Sequence, residues 1–175
     1  MSFNGSKWLC GPMGMGIFFC RRDSSDLIEP LQVGGESAIF HEDKIAHKEM
    51  PARFQAGFRN WSGVAGLEAS IIYLKKIGIS TIRERNIKLA NLLRQEISKI
   101  NGAVLYGPEE EKQRTSIVSF SVKDQDSKTL VARLEKNNII LAVRDIFSKK
   151  IVRASPQFFN TESEIHAVID AIKKG

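Results

Sequence analysis

Apolar residues recur three and four positions apart across residues 62–77, at Val64, Leu67, Ile71, Ile72 and Leu74, and Gly78 follows as a stop. This spacing predicts a helix. The pattern resumes over 80–100 with Ile82, Ile87, Leu89, Leu92, Leu93, Ile97 and Ile100, from a capping Ser80 to Asn101-Gly102, and predicts the longest helix of the chain. The period then drops to two. Residues 103–106 read as a strand, and Ser116 to Val122 alternates polar and apolar residues as a half-buried strand does. A helix over about 126–137, strands at 139–143 and 151–154, and an amphipathic helix opened by Thr161-Glu162-Ser163-Glu164 complete the prediction. In that opening the Glu164 side chain closes a helix cap and has no catalytic role.

The first third is less regular. Residues 16–22 follow a glycine-proline turn and read as a short buried strand, whereas 23–55 carries Pro30, Gly34-Gly35 and Pro51 with little periodicity, which predicts long connections and one short helix. A connection of that length in a compact protein has a functional reason or a partner surface to lie on. The whole reads as α/β, with a small lobe over 80–175 and no internal repeat.

Composition narrows the class. The chain has 175 residues, 42% of them hydrophobic, and only 5 Pro and 13 Gly, which fits a folded globular protein. No apolar run reaches the roughly 18 to 20 residues a membrane helix needs, so the expected setting is the cytoplasm with no membrane contact. The net charge of +6 comes from Lys and Arg interleaved with 20 acidic residues, which reads as solvated helix faces and not a nucleic-acid surface, while remaining compatible with anionic substrates. Cys10 and Cys20 match neither a redox pair nor a zinc site and are expected as buried thiols beside a strand. His41, His47 and His166 form no metal spacing and are expected in surface or capping roles.

The strongest chemical signal is Gly5-Ser6-Lys7-Trp8-Leu9-Cys10-Gly11-Pro12-Met13-Gly14-Met15-Gly16. It differs from a phosphate-binding Walker loop, since the full pattern is missing and no helix follows. It resembles the lysine loop of class V aminotransferases and their relatives, the cysteine desulfurases, cysteine lyases and isopenicillin N epimerase-like proteins. The resemblance implies the C-terminal part of a fold-type I pyridoxal 5'-phosphate (PLP) enzyme: the small α/β lobe plus the last strand region of the large domain. Lys7 would then carry the cofactor as a Schiff base and shuttle the α-proton of an amino-acid or keto-acid substrate, with Ser6 at the phosphate and Trp8 and Leu9 shielding the amine.

Two further segments extend the resemblance. Pro51-Ala52-Arg53-Phe54-Gln55-Ala56-Gly57-Phe58-Arg59-Asn60 is similar to the family segment that reaches the cofactor phosphate of a neighbouring subunit, which implies phosphate contacts at Gly57 and Arg59 and a homodimer. Phe58 stands where the family usually has threonine, so the contact passes to backbone N–H groups or the Arg59 guanidinium. Val152-Arg153-Ala154-Ser155-Pro156 resembles the closing signature in which a strand arginine grips the substrate carboxylate, and Arg153 is the matching residue.

Departures from the family pattern bear on the reaction. No cysteine follows Cys20, whereas cysteine desulfurases carry a persulfide-bearing cysteine in this lobe, so desulfuration of the usual kind is not expected. Ser6 takes a position commonly held by histidine. The resemblance divides the chain into a remnant of the large cofactor-binding domain at 1–30, a connecting segment and interdomain helix at 31–79, and the small domain at 80–175. It also implies that activity needs a separate N-terminal half carrying the ring-stacking and pyridine-nitrogen partners of the cofactor. The alternative is a non-catalytic dimerising module with the same ancestry.

Overall fold

Helix formation in the second half of the chain follows from where its large side chains can hide. In α2 (Ile79–Ser98) the residues Leu89, Ala90, Leu93 and Ile97 share one face and are almost wholly buried. They lie in one core with Val118, Phe120 and Val122 of β6 (Val118–Val122), Leu130 and Leu134 of α3 (Ser127–Glu135), Val152 and Ala154 of β8 (Lys149–Ala154), and Ile165, Ile169 and Ile172 of α4 (Glu162–Lys173). Burying one side chain the size of Phe120 contributes about 1.5–3 kcal/mol, so a core of this extent outweighs any local propensity.

These elements come from a computed structural model that describes residues 1–174. The chain divides into two compact units, Met1–Ile77 and Gly78–Gly175. In the second, β5 (Ala103–Tyr106), β6, β8 and β7 (Ala142–Ile146) form a four-stranded antiparallel sheet in the order β5-β6-β8-β7. The register sets Leu105 opposite Phe120 and Phe120 opposite Val152, which aligns the core-facing residues across three strands.

The first unit is built from smaller pieces. A ribbon of β1 (Ser2–Asn4) and β2 (Gly16–Phe18) encloses the lysine loop, a second hairpin joins β3 (Ala38–Phe40) to β4 (Ile45–His47), and α1 runs over Trp61–Ile77. Single 3-10 turns span Arg22–Leu27 and Ala52–Phe54. No helix among the described residues is long and apolar enough to cross a membrane.

Several expectations need correction. The strand foreseen at 16–22 is three residues long and pairs only with β1, and a two-stranded ribbon leaves Phe18 and Phe19 more than half exposed. Within 23–55, where the sequence predicts connections and one short helix, β3 and β4 form a hairpin whose signal is the polar His41 to Lys44 between two short apolar runs. Strand β7 begins at Ala142 instead of 139, because the Ile139 N–H returns to the Leu134 carbonyl (3.1 Å) and closes α3 beyond Asn138, which sits at φ 60°. Helix α2 starts beside Gly78 at φ 94°, with no capping side chain from Ser80. Strand β6 begins two residues late, since the buried Ser116 hydroxyl is drawn to the Pro156 carbonyl at 2.5 Å. The two cysteines are not both buried: Cys10 is exposed in a left-handed turn at φ 53°, and Cys20 is half-buried.

The cap of α4 forms as its sequence implies. The Thr161 hydroxyl accepts from the Glu164 N–H (3.2 Å), and the Glu164 carboxylate accepts from the Thr161 N–H (2.6 Å). That backbone N–H first, then the Asn160 amide and the Thr161 hydroxyl, hold the Glu164 carboxyl below its ordinary value of 4.5. A depressed folded value stabilises the protein above the ordinary carboxylate range, and the contribution disappears as pH falls through the folded value. Urea unfolding of Glu164→Gln against wild type should therefore show a midpoint difference near neutral pH that vanishes in acid. A pH-independent difference would mean that the carboxylate charge is irrelevant to the cap.

Candidate functional site

Lys7 sits in a turn fixed by its own backbone. The Cys10 N–H donates to the Lys7 carbonyl (2.9 Å), the Gly11 N–H to the Gly5 carbonyl (2.9 Å) and the Gly5 N–H to the Met15 carbonyl (2.8 Å). The β1–β2 ribbon supports this loop from both ends. Glycine is required at its neck: a Cβ on Gly11 would lie 2.8 Å from the Gly5 carbonyl oxygen and 2.7 Å from Leu67 of α1. Ser70 of α1 donates to the Cys10 carbonyl (2.9 Å), so the helix braces the turn as well.

The Lys7 side chain is exposed and forms no ion pair among the described residues. Shielding by Trp8 and Leu9 is not found: Trp8 is 42% exposed, because a turn this small cannot fold back over its own amine. Both the Ser6 N–H and hydroxyl donate to Asn4 Oδ1 at 2.7 Å, so the hydroxyl contacts a phosphate only by giving up that bond.

In the same unit, the N–H groups of Gly57, Phe58 and Arg59 make no hydrogen bond among the described residues. They are free to meet an anion. Arg59 stands 3.9 Å from the Glu36 carboxylate and 5.3 Å from the centre of the Trp61 ring, and Phe58 is fully exposed. Asn60 ties this segment to the lysine loop through its amide, 3.7 Å from Met15 Sδ. Lys7 and the 57–60 segment thus belong to one unit, whereas Arg153 belongs to the other.

Arg153 lies on β8 between the buried Val152 and Ala154, so its side chain takes the face opposite the core. Its Nε is buried with no hydrogen-bond partner among the described residues. Leaving such a donor unsatisfied costs on the order of 1–3 kcal/mol, which a bound carboxylate would recover. Ser119 stands directly opposite Arg153 in the β6–β8 register, and Ser121 on the same strand shares a hydrogen bond with the Tyr106 hydroxyl (3.0 Å). The lysine-loop and closing motifs do not include these polar residues, although the alternation Ser119-Phe120-Ser121 marks them in the sequence.

Within the first unit the residues present fit a PLP-type group, with an unpaired amine at Lys7 and uncommitted N–H donors at 57–59; in the second unit, Arg153 offers an unsatisfied Nε to a carboxylate. The fold is that of part of the fold-type I PLP enzymes, over just under half of their length. The aminotransferase class-V profile matches residues 1–168, and the chain belongs to that family. It is 30% identical over 99% of its length to a protein of Methanothermobacter thermautotrophicus named "Probable cysteine desulfurase", of which it covers 46%. It superposes with a TM-score of 0.92 on the apo cysteine desulfurase of Thermococcus onnurineus at 27% identity, covering 99% of this chain and 46% of that one. A cysteine desulfurase from Escherichia coli shares the fold at a TM-score of 0.89 and 23% identity, over 99% of this chain and 45% of that one. The chain spans just under half the length of these proteins.

Replacing Gly11 by alanine should destabilise the lysine loop by about 1–3 kcal/mol, as expected for a Cβ forced against backbone. Gly35→Ala, where nothing lies within 4 Å, should change stability little. Denaturant midpoints and amide exchange over residues 5–15 measure both; equal effects would show that the Gly11 approach is not limiting.

Proposed function

We propose that this chain is the lysine-bearing, C-terminal part of a PLP-dependent enzyme acting on an amino acid, with Lys7 as the residue that holds the cofactor. The observation that carries the reading is Lys7 itself, an exposed amine without an acidic partner among the described residues, in a turn whose glycine neck admits no side chain. Residues 1–30 are assigned to the cofactor-binding domain, and 80–175 to the small domain that receives substrate.

Each residue has a definable task. Lys7 Nζ secures the cofactor and then moves the proton at the substrate α-carbon. The N–H groups of Gly57 to Arg59, with the Arg59 guanidinium, bind phosphate, in a homodimer that of a neighbouring copy. Ser6 orders the turn through Asn4 and reaches phosphate only when that bond opens. Arg153 binds the substrate carboxylate through paired N–H groups, a planar match that a lysine cannot supply. When bound, PLP supplies the electron sink that makes the α-carbon acidic.

The relatives named as desulfurases act on cysteine by that name, but residues 78–175 here contain no cysteine. The reaction proposed for this chain accordingly uses no sulfur-accepting cysteine from that lobe. Because the chain covers 46% of the length of its archaeal relative, catalysis is proposed only together with a counterpart of the remaining length. A second reading, a non-catalytic dimerising module, is favoured by the exposed Phe40, Phe58 and Trp61 of the first unit.

Reduction with borohydride in the presence of PLP, followed by peptide mapping, separates the two. The label should fall on the Lys7 peptide and vanish in Lys7→Ala, most strongly when the counterpart of the relatives' unmatched half is present. Label spread evenly over surface lysines, or none with that counterpart present, would remove the catalytic reading.

A further inference from the structure

Arg94 on α2 and Arg114, which follows the 3-10 turn Glu111–Gln113, line a cavity of about 290 Å³ with Tyr106, Thr115 and Ser119. No Asp or Glu among the described residues lines it. Three acidic residues close in sequence are engaged elsewhere: Glu96 accepts from Lys99 (2.5 Å), Glu110 from Lys112 (3.0 Å) and Gln113 (3.2 Å), and Glu111 from the Asn91 amide (2.5 Å).

The two arginines differ in how they are held. Arg114 is oriented by its own donors, Nε to the Pro108 carbonyl (2.9 Å) and Nη1 to Asn91 Oδ1 (3.3 Å). Arg94 is half-buried, yet it makes no side-chain hydrogen bond or ion pair among the described residues. Burial first, and the Arg114 charge second, lower its guanidinium pKa from the ordinary value, although it stays protonated at neutral pH. Two like charges thus face one concavity without a counter-ion among the described residues. That arrangement costs free energy unless an anion neutralises both.

We infer that the Arg94–Arg114 cavity is a binding site for a small doubly charged oxyanion of the phosphate type. A single dianion offsets both guanidinium charges, and its oxygens can accept from both arginines and from the Thr115 and Ser119 hydroxyls. The site lies wholly within residues 78–175 and does not involve Lys7, Gly57 or Arg59, so it stands or falls independently of the proposed cofactor contacts.

Inorganic phosphate titrated into the full chain at constant ionic strength, with chloride as the balancing salt, tests the assignment by the amide NMR signals of Gly107 and Thr115. These should move saturably in the wild type. In Arg94→Gln the affinity should fall by about tenfold or more, with partial retention in Arg94→Lys, because a charge-assisted donor is lost in one and a point charge kept in the other. Arg94 makes no described contact that the fold needs, so the Arg94→Gln thermal midpoint should not drop; Arg83→Gln on the same helix should bind as wild type does. Phenyl phosphate in place of inorganic phosphate tells whether the group is accepted as an ester, and either outcome with an intact Arg94 dependence supports the site. Unchanged binding in Arg94→Gln, equal displacement by chloride or by succinate, or no displacement at all would overturn it.

Discussion

Strand β8 is the constraint on which the second unit depends. It is hydrogen-bonded to β6 on one side and β7 on the other, and it sends Val152 and Ala154 into the core. Since successive residues of a strand point to opposite faces, burying those two leaves Arg153 no choice of side. A slip of one residue would drive a guanidinium into the core and Val152 out of it, a loss far larger than any single hydrogen bond could offset. The packing that stabilises the lobe is therefore also what aims the arginine.

The lysine loop follows a different logic, because little of it is buried. Its shape rests on backbone hydrogen bonds within 5–15, on the ribbon that closes it, and on glycine at the point where Leu67 and the Gly5 carbonyl approach. Polar satisfaction, instead of hydrophobic burial, specifies this turn. Such a site is well defined locally while leaving its amine in the open.

Legibility in the sequence tracks these two sources of order. Where burial decides, the periods of 3.6 and 2 mark α1, α2, β5 and α4 nearly to their ends, and the capping box of α4 is readable from Thr161 and Glu164 alone. Local backbone geometry is harder to read. The β7–β8 hairpin turns on Phe147 at φ 46° and Ser148 at φ 66°, where glycine or asparagine would be the usual signal, and the Ile139 bond that closes α3 leaves no compositional mark. Among the candidate residues, Lys7 and Arg153 are singled out by motif order alone. The occupation of the Ser6 hydroxyl by Asn4, the exposure of Cys10 and the opposition of Ser119 to Arg153 depend on register and side-chain rotamers, which a motif does not encode.

The unsatisfied Nε of Arg153 is where this account is most directly exposed to measurement. The ¹H–¹⁵N resonance of the Arg153 Nε–H should be followed as alanine, and in parallel alaninamide, is added to the chain. A saturable downfield displacement with alanine that alaninamide does not reproduce is the expected result, since only the former offers a carboxylate. An unmoved resonance, or the same displacement with both, would contradict the view that β8 presents a receptor for the substrate carboxylate.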